Sequence, residues 1–395
     1  MMSIPDNSYI LPTYPRSAVV PERGEGVYLF DTEGRRYLDF TSGIAVTALG
    51  HAHPHLVDAL TQQAQKLWHV SNLFHIPEQA RLAQRLCAAS FADYAFFCNS
   101  GAEALEAAIK TARRYHYVNG NPQRNRIITF EGAFHGRTLA TIAAGGQEKY
   151  LEGFEPRIDG FDQVPFADHE ALKAMVGPET AAILIEPVQG EGGVRRVPDQ
   201  CLQGLRALCD EHGLLLIVDE VQSGIYRTGK MFGHEYAGIK PDIMSLAKAI
   251  GGGFPFGACL TTKQAGSGMT FGTHGTTFGG NPLAVAVGNA VMDVVTDTGF
   301  QEQIADVGQY FDESLKVIAN KHSQKVVELR GVGYIRGLKI ADHIVARDVL
   351  GACAQQSLLV CTAGDNVLRL LPPLIITRAH VDEAIAVIDS VLTDI

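Results

Sequence analysis

An acid and an amine stand at the ends of two apolar runs in the middle of the chain. Asp219 closes the run LLLIVD, and Lys248 closes the weaker run IMSLAK. A continuous apolar run is typical of a strand that is buried on both faces of a parallel sheet. Because ligands of open α/β sheets bind beyond the carboxyl ends of the strands, we expect both side chains to face one crevice.

A carboxylate and a primary amine in one crevice have a specific chemical use. The carboxylate can hold a protonated ring nitrogen, and the amine can capture a carbonyl carbon as a Schiff base. Pyridoxal 5'-phosphate (PLP) needs both groups. Two residues alone do not establish this chemistry, since Asp219 and Lys248 could also cap strands or form a structural salt bridge.

The same stretch contains an approximate nucleotide-binding pattern. GIYRTGKM nearly matches the phosphate loop G-x-x-x-x-G-K-[ST], and LLLIVDE resembles a Walker B strand. However, Met231 stands where a magnesium-binding hydroxyl is needed, and no helix pattern follows. The loop also comes after the Walker B-like strand, which is the wrong order. The sequence therefore argues against a nucleoside triphosphatase.

Several turns that follow predicted strands carry candidate ligand-binding side chains. Between the predicted strand YAFFC and the helix EALEAAIKTARRY, Gly101 lets the backbone approach an anion at the helix N-terminus. In GAFHGRT, Phe134 can stack on a planar ring and Arg137 can hold a carboxylate. An ordinary strand–helix turn, a core phenylalanine and a solvated arginine would account for these residues equally well. A glycine-rich loop places Glu191 after the strand AAILIEP.

The order of predicted elements indicates an α/β fold with a second, smaller unit. Strands alternate with helices from about residue 50 to 290, which predicts a mostly parallel sheet flanked by helices. We predict an N-terminal arm with a hairpin and part of the small domain in residues 1–45. A large domain spans 46–290, and a smaller α+β domain spans 291–395.

Composition excludes several functional classes. The 395 residues carry a net charge of −10, which argues against nucleic-acid binding. No signal pattern or apolar run of membrane-spanning length occurs, so no membrane association is expected. Seven cysteines without a C-x-x-C pair predict free thiols in the cytoplasm and no zinc site. The alternating histidines of GHAHPHL lack further ligands, so no metal site is predicted.

Six motifs taken together resemble one family. These motifs are NSGAEALEAAIKTAR, GAFHGRT, EPVQGEGGV, LLLIVDEVQSGIYRTGK, PDIMSLAKAIGGGFPFGA and HGTTFGGNPLA, and they cover most of residues 15–390. The chain resembles the class III, fold-type I, PLP-dependent aminotransferases. Within that class, its length and the segment LDFTSGIAVTALGHAHP are most like the acetylornithine aminotransferases. Ala102 and Leu105 depart from the threonine and asparagine that are common in the family.

The resemblance implies a role for each matching residue. Lys248 attaches the cofactor and shuttles protons, and Asp219 pairs with its ring nitrogen; these two are the catalytic residues. The other expected PLP contacts are Gly101, Ala102, Phe134, Glu220, Val221, Gln222 and, from a neighbouring subunit, Thr277. The expected substrate contacts are Arg137, Thr276, Glu191 and Arg369. Glu191 is expected to mask Arg369 while an amine with one distal carboxylate reacts, and to move away for a dicarboxylate.

The implied reaction moves the distal amino group of N2-acetylornithine to 2-oxoglutarate. The products are N-acetyl-L-glutamate 5-semialdehyde and L-glutamate, a step of arginine biosynthesis, and the expected active unit is a homodimer with shared sites. Aminotransferases for ornithine, succinylornithine, succinyldiaminopimelate or 4-aminobutyrate would use the same residues. A glutamate-semialdehyde-type aminomutase and a non-enzymatic binding protein are alternatives from other functional classes, and intact Lys248 and Asp219 disfavour the latter.

Overall fold

The computed structural model describes residues 9–395, and the helices and strands follow in chain order. The strands are β1 (Pro21–Glu25), β2 (Tyr28–Asp31), β3 (Arg36–Asp39), β4 (Tyr94–Cys98), β5 (Arg126–Phe130), β6 (Phe161–Val164), β7 (Thr180–Ile185), β8 (Val188–Gln189), β9 (Arg195–Arg196), β10 (Leu215–Asp219), β11 (Ile243–Leu246), β12 (Gly257–Thr261), β13 (Val326–Val332), β14 (Ile335–Ile340), β15 (Leu358–Leu359), β16 (Cys361–Ala363) and β17 (Val367–Leu370). The α-helices are α1 (Ser42–Ala45), α2 (Pro54–Ala64), α3 (Pro77–Ala88), α4 (Gly101–Val118), α5 (Leu139–Gly145), α6 (Glu148–Leu151), α7 (His169–Met175), α8 (Asp199–His212), α9 (Pro282–Val295), α10 (Thr298–Lys321), α11 (Ala346–Gln355) and α12 (Arg378–Asp394). Short 3-10 helices cover Gly233–Ala237, Lys248–Gly251 and Ala265–Gly268.

A seven-stranded sheet in the order β4-β12-β11-β10-β7-β5-β6 forms the centre of the molecule. The strands from β11 to β6 are parallel, whereas β12 is antiparallel to both of its neighbours. All residues of β7, β10 and β11 are buried, as continuous apolar runs predict. This confirms the predicted α/β class with a mostly parallel sheet.

The edge strand β4 is less buried than its apolar sequence predicts. Tyr94 is about half exposed, and only Phe97 and Cys98 are fully buried. The reason is position, because β4 pairs with β12 on one side only and forms an edge of the sheet. An apolar run alone does not distinguish a central strand from an edge strand.

Strands from the two ends of the chain share one sheet. The predicted hairpin forms between β2 and β3, and β3 then pairs in parallel with β15 of the C-terminal region. A further sheet in the order β13-β14-β17-β16 lies in the C-terminal region. The N-terminal segment thus packs on residues distant in sequence, while the division into domains at residues 45 and 290 remains a prediction. The first eight residues of the predicted arm lie outside the described part.

Two of the three alternating histidines have ordinary polar partners. His51 contacts Asp39 at 2.8 Å, and His55 contacts Asp293 at 3.0 Å. Across residues 9–395 there is no group of three or more histidine, cysteine or acidic side chains that could hold a metal ion. Over the same residues no single helix has the length and apolarity to cross a membrane, although one bent pair, α9 with α10, meets that test by length and composition alone.

Candidate functional site

A cavity of about 370 Å³ opens where β10 and β11 end and α4 begins. It brings together eight of the residues that the sequence predicts for the site, which come from five separate stretches of the chain. These residues are Gly101, Ala102, Phe134, Glu191, Asp219, Val221, Gln222 and Lys248. The prediction that Asp219 and Lys248 face one crevice is therefore confirmed.

Lys248 begins a 3-10 helix just beyond β11. Its backbone has a φ of +49°, a left-handed conformation that is uncommon for a residue with a side chain. Burial removes the ammonium group from water and lowers the pKa of Lys248 to about 8. An amine with this pKa is partly neutral at physiological pH, which is the form that attacks a carbonyl.

The Asp219 carboxylate is fixed by two donors. One oxygen lies 2.8 Å from Nδ1 of His135, and the other accepts the Val221 N–H at 3.0 Å. His135 is buried, and its Nε2 has no hydrogen-bond partner within the described part of the chain. The sequence alone gave His135 no role, although its position in the motif GAFHGRT could have indicated one. The imidazole orients the carboxylate towards the cavity.

The N-terminus of α4 forms a close-fitting floor. Ser100 caps the helix by accepting the Glu103 N–H at 3.2 Å, and the first N–H groups of a helix have no intrahelical acceptor. A Cβ added to Gly101 would lie 2.8 Å from a methyl carbon of Val221. A Cβ added to Gly136, where φ is +132°, would lie 2.8 Å from Ala102. Glycine at both positions lets the backbone close around a small anion.

The Glu186 carboxylate and the Phe134 ring form the wall next to Asp219. The Phe134 N–H donates to Glu186 at 3.0 Å, so this buried acid fixes the ring that borders the cavity. Burial, together with the nearby charge of Asp219, raises the pKa of Glu186 well above its usual range. Sequence reasoning missed Glu186, because its role depends on the fold bringing β7 and the loop after β5 together.

Arg137 lies outside the lining of the cavity but next to it. The side chain is exposed, and its guanidinium lies 4.0 Å from the Tyr150 ring centroid and 5.5 Å from that of Phe134. These rings hold the cation at the mouth of the site without neutralising its charge.

Glu191 and Arg369, which are 178 residues apart in sequence, meet beside the cavity. Nη1 of Arg369 lies 2.6 Å from Oε1 of Glu191 and 3.3 Å from Oε1 of Gln222. Burial alone would raise the pKa of Glu191, but the charge and hydrogen bond of Arg369 outweigh it and lower that pKa. Arg369 is only 1% exposed, whereas the Glu191 side chain retains 26% exposure. The acid therefore covers the guanidinium from the solvent side.

Three predicted residues lie elsewhere. Thr276 and Thr277 line an adjoining groove of about 420 Å³, which shares Asn99 with the main cavity. Glu220 is turned away from the cavity, and its carboxylate accepts hydrogen bonds from Ser223, the Gly233 N–H and His234. Within this chain alone, the Thr277 hydroxyl is not part of the cavity, and the Glu220 side chain stabilises the following loop.

The residues present fit PLP. The cavity offers an amine for the aldehyde, a fixed carboxylate for the ring nitrogen, and a helix N-terminus with a glycine floor for the phosphate. Phe134 supplies an aromatic face beside them. Each reactive or charged group of the cofactor thus has a chemically matched partner in the cavity.

Comparisons with known proteins agree with this chemistry. The family described as "Aminotransferase class-III" matches residues 10–392. The acetylornithine aminotransferase of Mesorhizobium japonicum is 61% identical over 378 residues, which are 96% of this chain and 94% of that protein. The crystal structure of N-acetylornithine aminotransferase from Stenotrophomonas maltophilia superimposes with a TM-score of 0.84 at 37% identity, covering 96% and 97% of the two chains. The ornithine aminotransferase of Toxoplasma gondii gives a TM-score of 0.94 at 30% identity, covering 98% and 93%.

Proposed function

The chain belongs to the class-III aminotransferases, and from that premise we propose that it moves the distal amino group of N2-acetylornithine to 2-oxoglutarate. The products are N-acetyl-L-glutamate 5-semialdehyde and L-glutamate, a step of arginine biosynthesis. The observation that carries the proposal is the buried Arg369, which Glu191 covers beside the cavity of Lys248 and Asp219. Such a covered cation is what an enzyme needs when it accepts both a monocarboxylate amine and a dicarboxylate.

PLP, when bound, supplies the electron sink that stabilises a carbanion at the reacting carbon of the substrate. Lys248 would hold the cofactor through Nζ. Whenever that amine is free, Nζ would take the proton from the reacting carbon of the substrate and later release it, so that Lys248 ends the exchange unchanged. The lowered pKa of Lys248 suits this use, because the amine accepts and releases protons near neutral pH.

Asp219 would keep the ring nitrogen of the bound cofactor protonated through its negative charge. His135, which contacts Asp219 at 2.8 Å, and the Val221 N–H prevent the carboxylate from rotating away. Gly101 and Ala102 would hold the phosphate through their backbone N–H groups, Phe134 would cover the ring, and Gln222 would contact the ring hydroxyl. For Glu220 we propose a supporting role only, since its carboxylate is engaged by His234.

The two substrates place different demands on the carboxylate contacts. Acetylornithine reacts through its side-chain amine and carries one carboxylate at the far end, whereas 2-oxoglutarate carries a second carboxylate next to the reacting carbon. Arg137, exposed at the mouth of the site, is the proposed distal contact for both. Thr276 is a further proposed substrate contact. Arg369 is the proposed contact for the second carboxylate.

Glu191 decides when Arg369 is available. A bare Arg369 would attract the α-carboxylate of ornithine-type substrates and favour transfer at the wrong amine. The ion pair with Glu191 removes that attraction. Glycines on both sides of Glu191 give its loop the freedom to release the pair when a dicarboxylate enters.

A homodimer is the proposed active unit, with Thr277 reaching the phosphate in the partner's site. The support comes from large exposed apolar side chains in two parts of the chain: Trp68, Leu73, Phe74, Phe271 and Phe278. Asn72 joins the two parts by donating to the Thr276 and Gly279 carbonyls. Large apolar side chains left exposed in neighbouring segments are typical of an interface. We also propose a cytoplasmic location, which suits the free thiols.

Paired assays test the proposed reaction. Acetylornithine, ornithine and succinylornithine are each supplied with 2-oxoglutarate, and formation of glutamate is followed. We expect the highest kcat/KM with acetylornithine and no turnover without 2-oxoglutarate. Preference for ornithine or succinylornithine would reassign the substrate, and turnover of a single substrate without an acceptor would indicate an aminomutase.

A further inference from the structure

Arg369 is held by side chains of three different kinds. Its Nη1 contacts the Glu191 carboxylate at 2.6 Å and the Gln222 amide oxygen at 3.3 Å. Its Nε donates to Sγ of Cys361 at 3.4 Å, a normal distance for an N–H···S contact. The thiol is thus the contact on Nε, while the acid and the amide share Nη1.

Cys361 is fixed to Arg369 by the sheet itself. β16 pairs with β17 so that Cys361 stands directly opposite Arg369, and its Sγ also lies 3.5 Å from the Arg369 carbonyl oxygen. Glu191 lies instead in a loop with glycine on both sides. One contact is therefore built into the strand ladder, and the other comes from a glycine-flanked loop.

The charge of the two partners also differs. Burial raises the pKa of the Cys361 thiol, so the group is neutral at physiological pH. A neutral sulfur orients the guanidinium without cancelling its positive charge, whereas the Glu191 carboxylate both orients and masks it. A fixed carboxylate at position 361 would mask Arg369 at all times.

We propose that Cys361 is a positioning residue that keeps the Arg369 guanidinium aimed at the site after Glu191 moves away. The inference rests on the proposed function, in which Glu191 releases Arg369 for a dicarboxylate. Without the thiol, a released Arg369 would be held by Gln222 alone and would lose its orientation before the carboxylate of the substrate binds. Cys361 thereby acts only in the half of the reaction that uses Arg369.

The test compares Cys361→Ala with Cys361→Ser in separate half-reactions, followed by the absorbance change of the bound cofactor in single turnovers. Removing one neutral hydrogen bond in Cys361→Ala should raise the KM for glutamate and 2-oxoglutarate by about threefold to tenfold. The half-reaction with acetylornithine should stay within about twofold, because it does not use Arg369. Cys361→Ser keeps a neutral acceptor and should recover most of the loss.

Cys353→Ala is the matched control. Cys353 is a fully buried thiol in α11 that packs in the hydrophobic core. Its removal should lower the melting temperature and leave the ratio of the two half-reactions unchanged. Because the readout is the ratio of the two half-reactions, a lower melting temperature of Cys361→Ala does not obscure the result.

Two outcomes separate the inference from the function on which it rests. If Cys361→Ala changes both half-reactions equally, or leaves the dicarboxylate KM unchanged while Arg369→Lys raises it strongly, the positioning role of Cys361 is wrong and the role of Arg369 stands. If Arg369→Lys leaves the glutamate half-reaction unchanged, the proposed use of Arg369 fails first, and the inference fails with it.

Discussion

The two ends of the active cavity are built in different ways. At the cofactor end, Asp219 is the last residue of β10 and Lys248 follows β11, both buried strands of one sheet, and their surroundings are closed by glycine and by His135. At the substrate end, Glu191 and Arg369 come from different parts of the fold and meet through an ion pair at the surface of the cavity. The first end is rigid because the fold fixes each group, and the second can switch because one partner lies in a glycine-flanked loop.

The difference shows how one enzyme can combine constant chemistry with two unlike substrates. Bond making and breaking need groups held within fractions of an ångström, which strand ends provide. Alternating recognition needs a contact whose two states differ by a few kcal/mol at most, which a partly exposed ion pair provides. Substitutions at the cofactor end should therefore abolish both half-reactions, whereas substitutions at the substrate end should separate them.

Replacing Lys248 by alanine should have the largest effect. The variant loses the covalent attachment and the proton-transferring amine, so activity should fall by on the order of 10³-fold or more. Borohydride treatment followed by peptide mass analysis should find the reduced cofactor on Lys248 in the wild type and on no lysine in the variant. Attachment to another lysine in the wild type would show that Lys248 is not the residue that holds the cofactor.

The variant Thr277→Ala tests whether one chain alone supplies all the contacts that hold the cofactor. Loss of one hydroxyl bond to a charged phosphate should cost about 1.5–3 kcal/mol and weaken PLP retention by roughly ten- to a hundredfold. Thr273→Ala is the control, because that hydroxyl bonds Thr270 within the same segment. Retention is measured by dialysis, and sedimentation reports the assembly. A fully active monomer would show that one chain suffices.

The pH dependence of cofactor capture tests the burial of Lys248. Because burial lowers its pKa to about 8, the neutral amine becomes the main form above that pH and the minor form below it. PLP binding by the apoprotein should therefore speed up by roughly tenfold between about pH 7 and pH 9 and then level off. A rate that keeps rising by about tenfold per pH unit until about pH 10, as for an exposed lysine, would mean that the cavity does not shift the pKa of the amine.

The sequence predicts the cofactor end better than the substrate end, for a physical reason. Apolar runs that end in Asp219 and Lys248 place both residues at strand ends without any knowledge of the other strands. His135 and Glu186 could not be assigned in this way, because their roles in the site depend on contacts between different strands and loops of the fold. The family resemblance led to the expectation that Glu220 contacts the cofactor, but the turn after β10 directs its carboxylate to His234. The pairing of Glu191 with Arg369 came only from family resemblance, because residues 178 apart give no local signal.

The variant Glu191→Ala tests directly whether Glu191 controls access to Arg369. Each half-reaction is assayed separately. Glu191→Gln is the matched variant, because it keeps the shape of the side chain and removes its charge. Loss of a charge-assisted contact worth about 1.5–3 kcal/mol should lower the selectivity for the distal amine of acetylornithine by roughly ten- to a hundredfold. The glutamate half-reaction should be maintained or improved in both variants, because Arg369 becomes permanently available. An equal loss in the two half-reactions would contradict the switch, since Glu191 would then support the site as a whole and would not control access to Arg369.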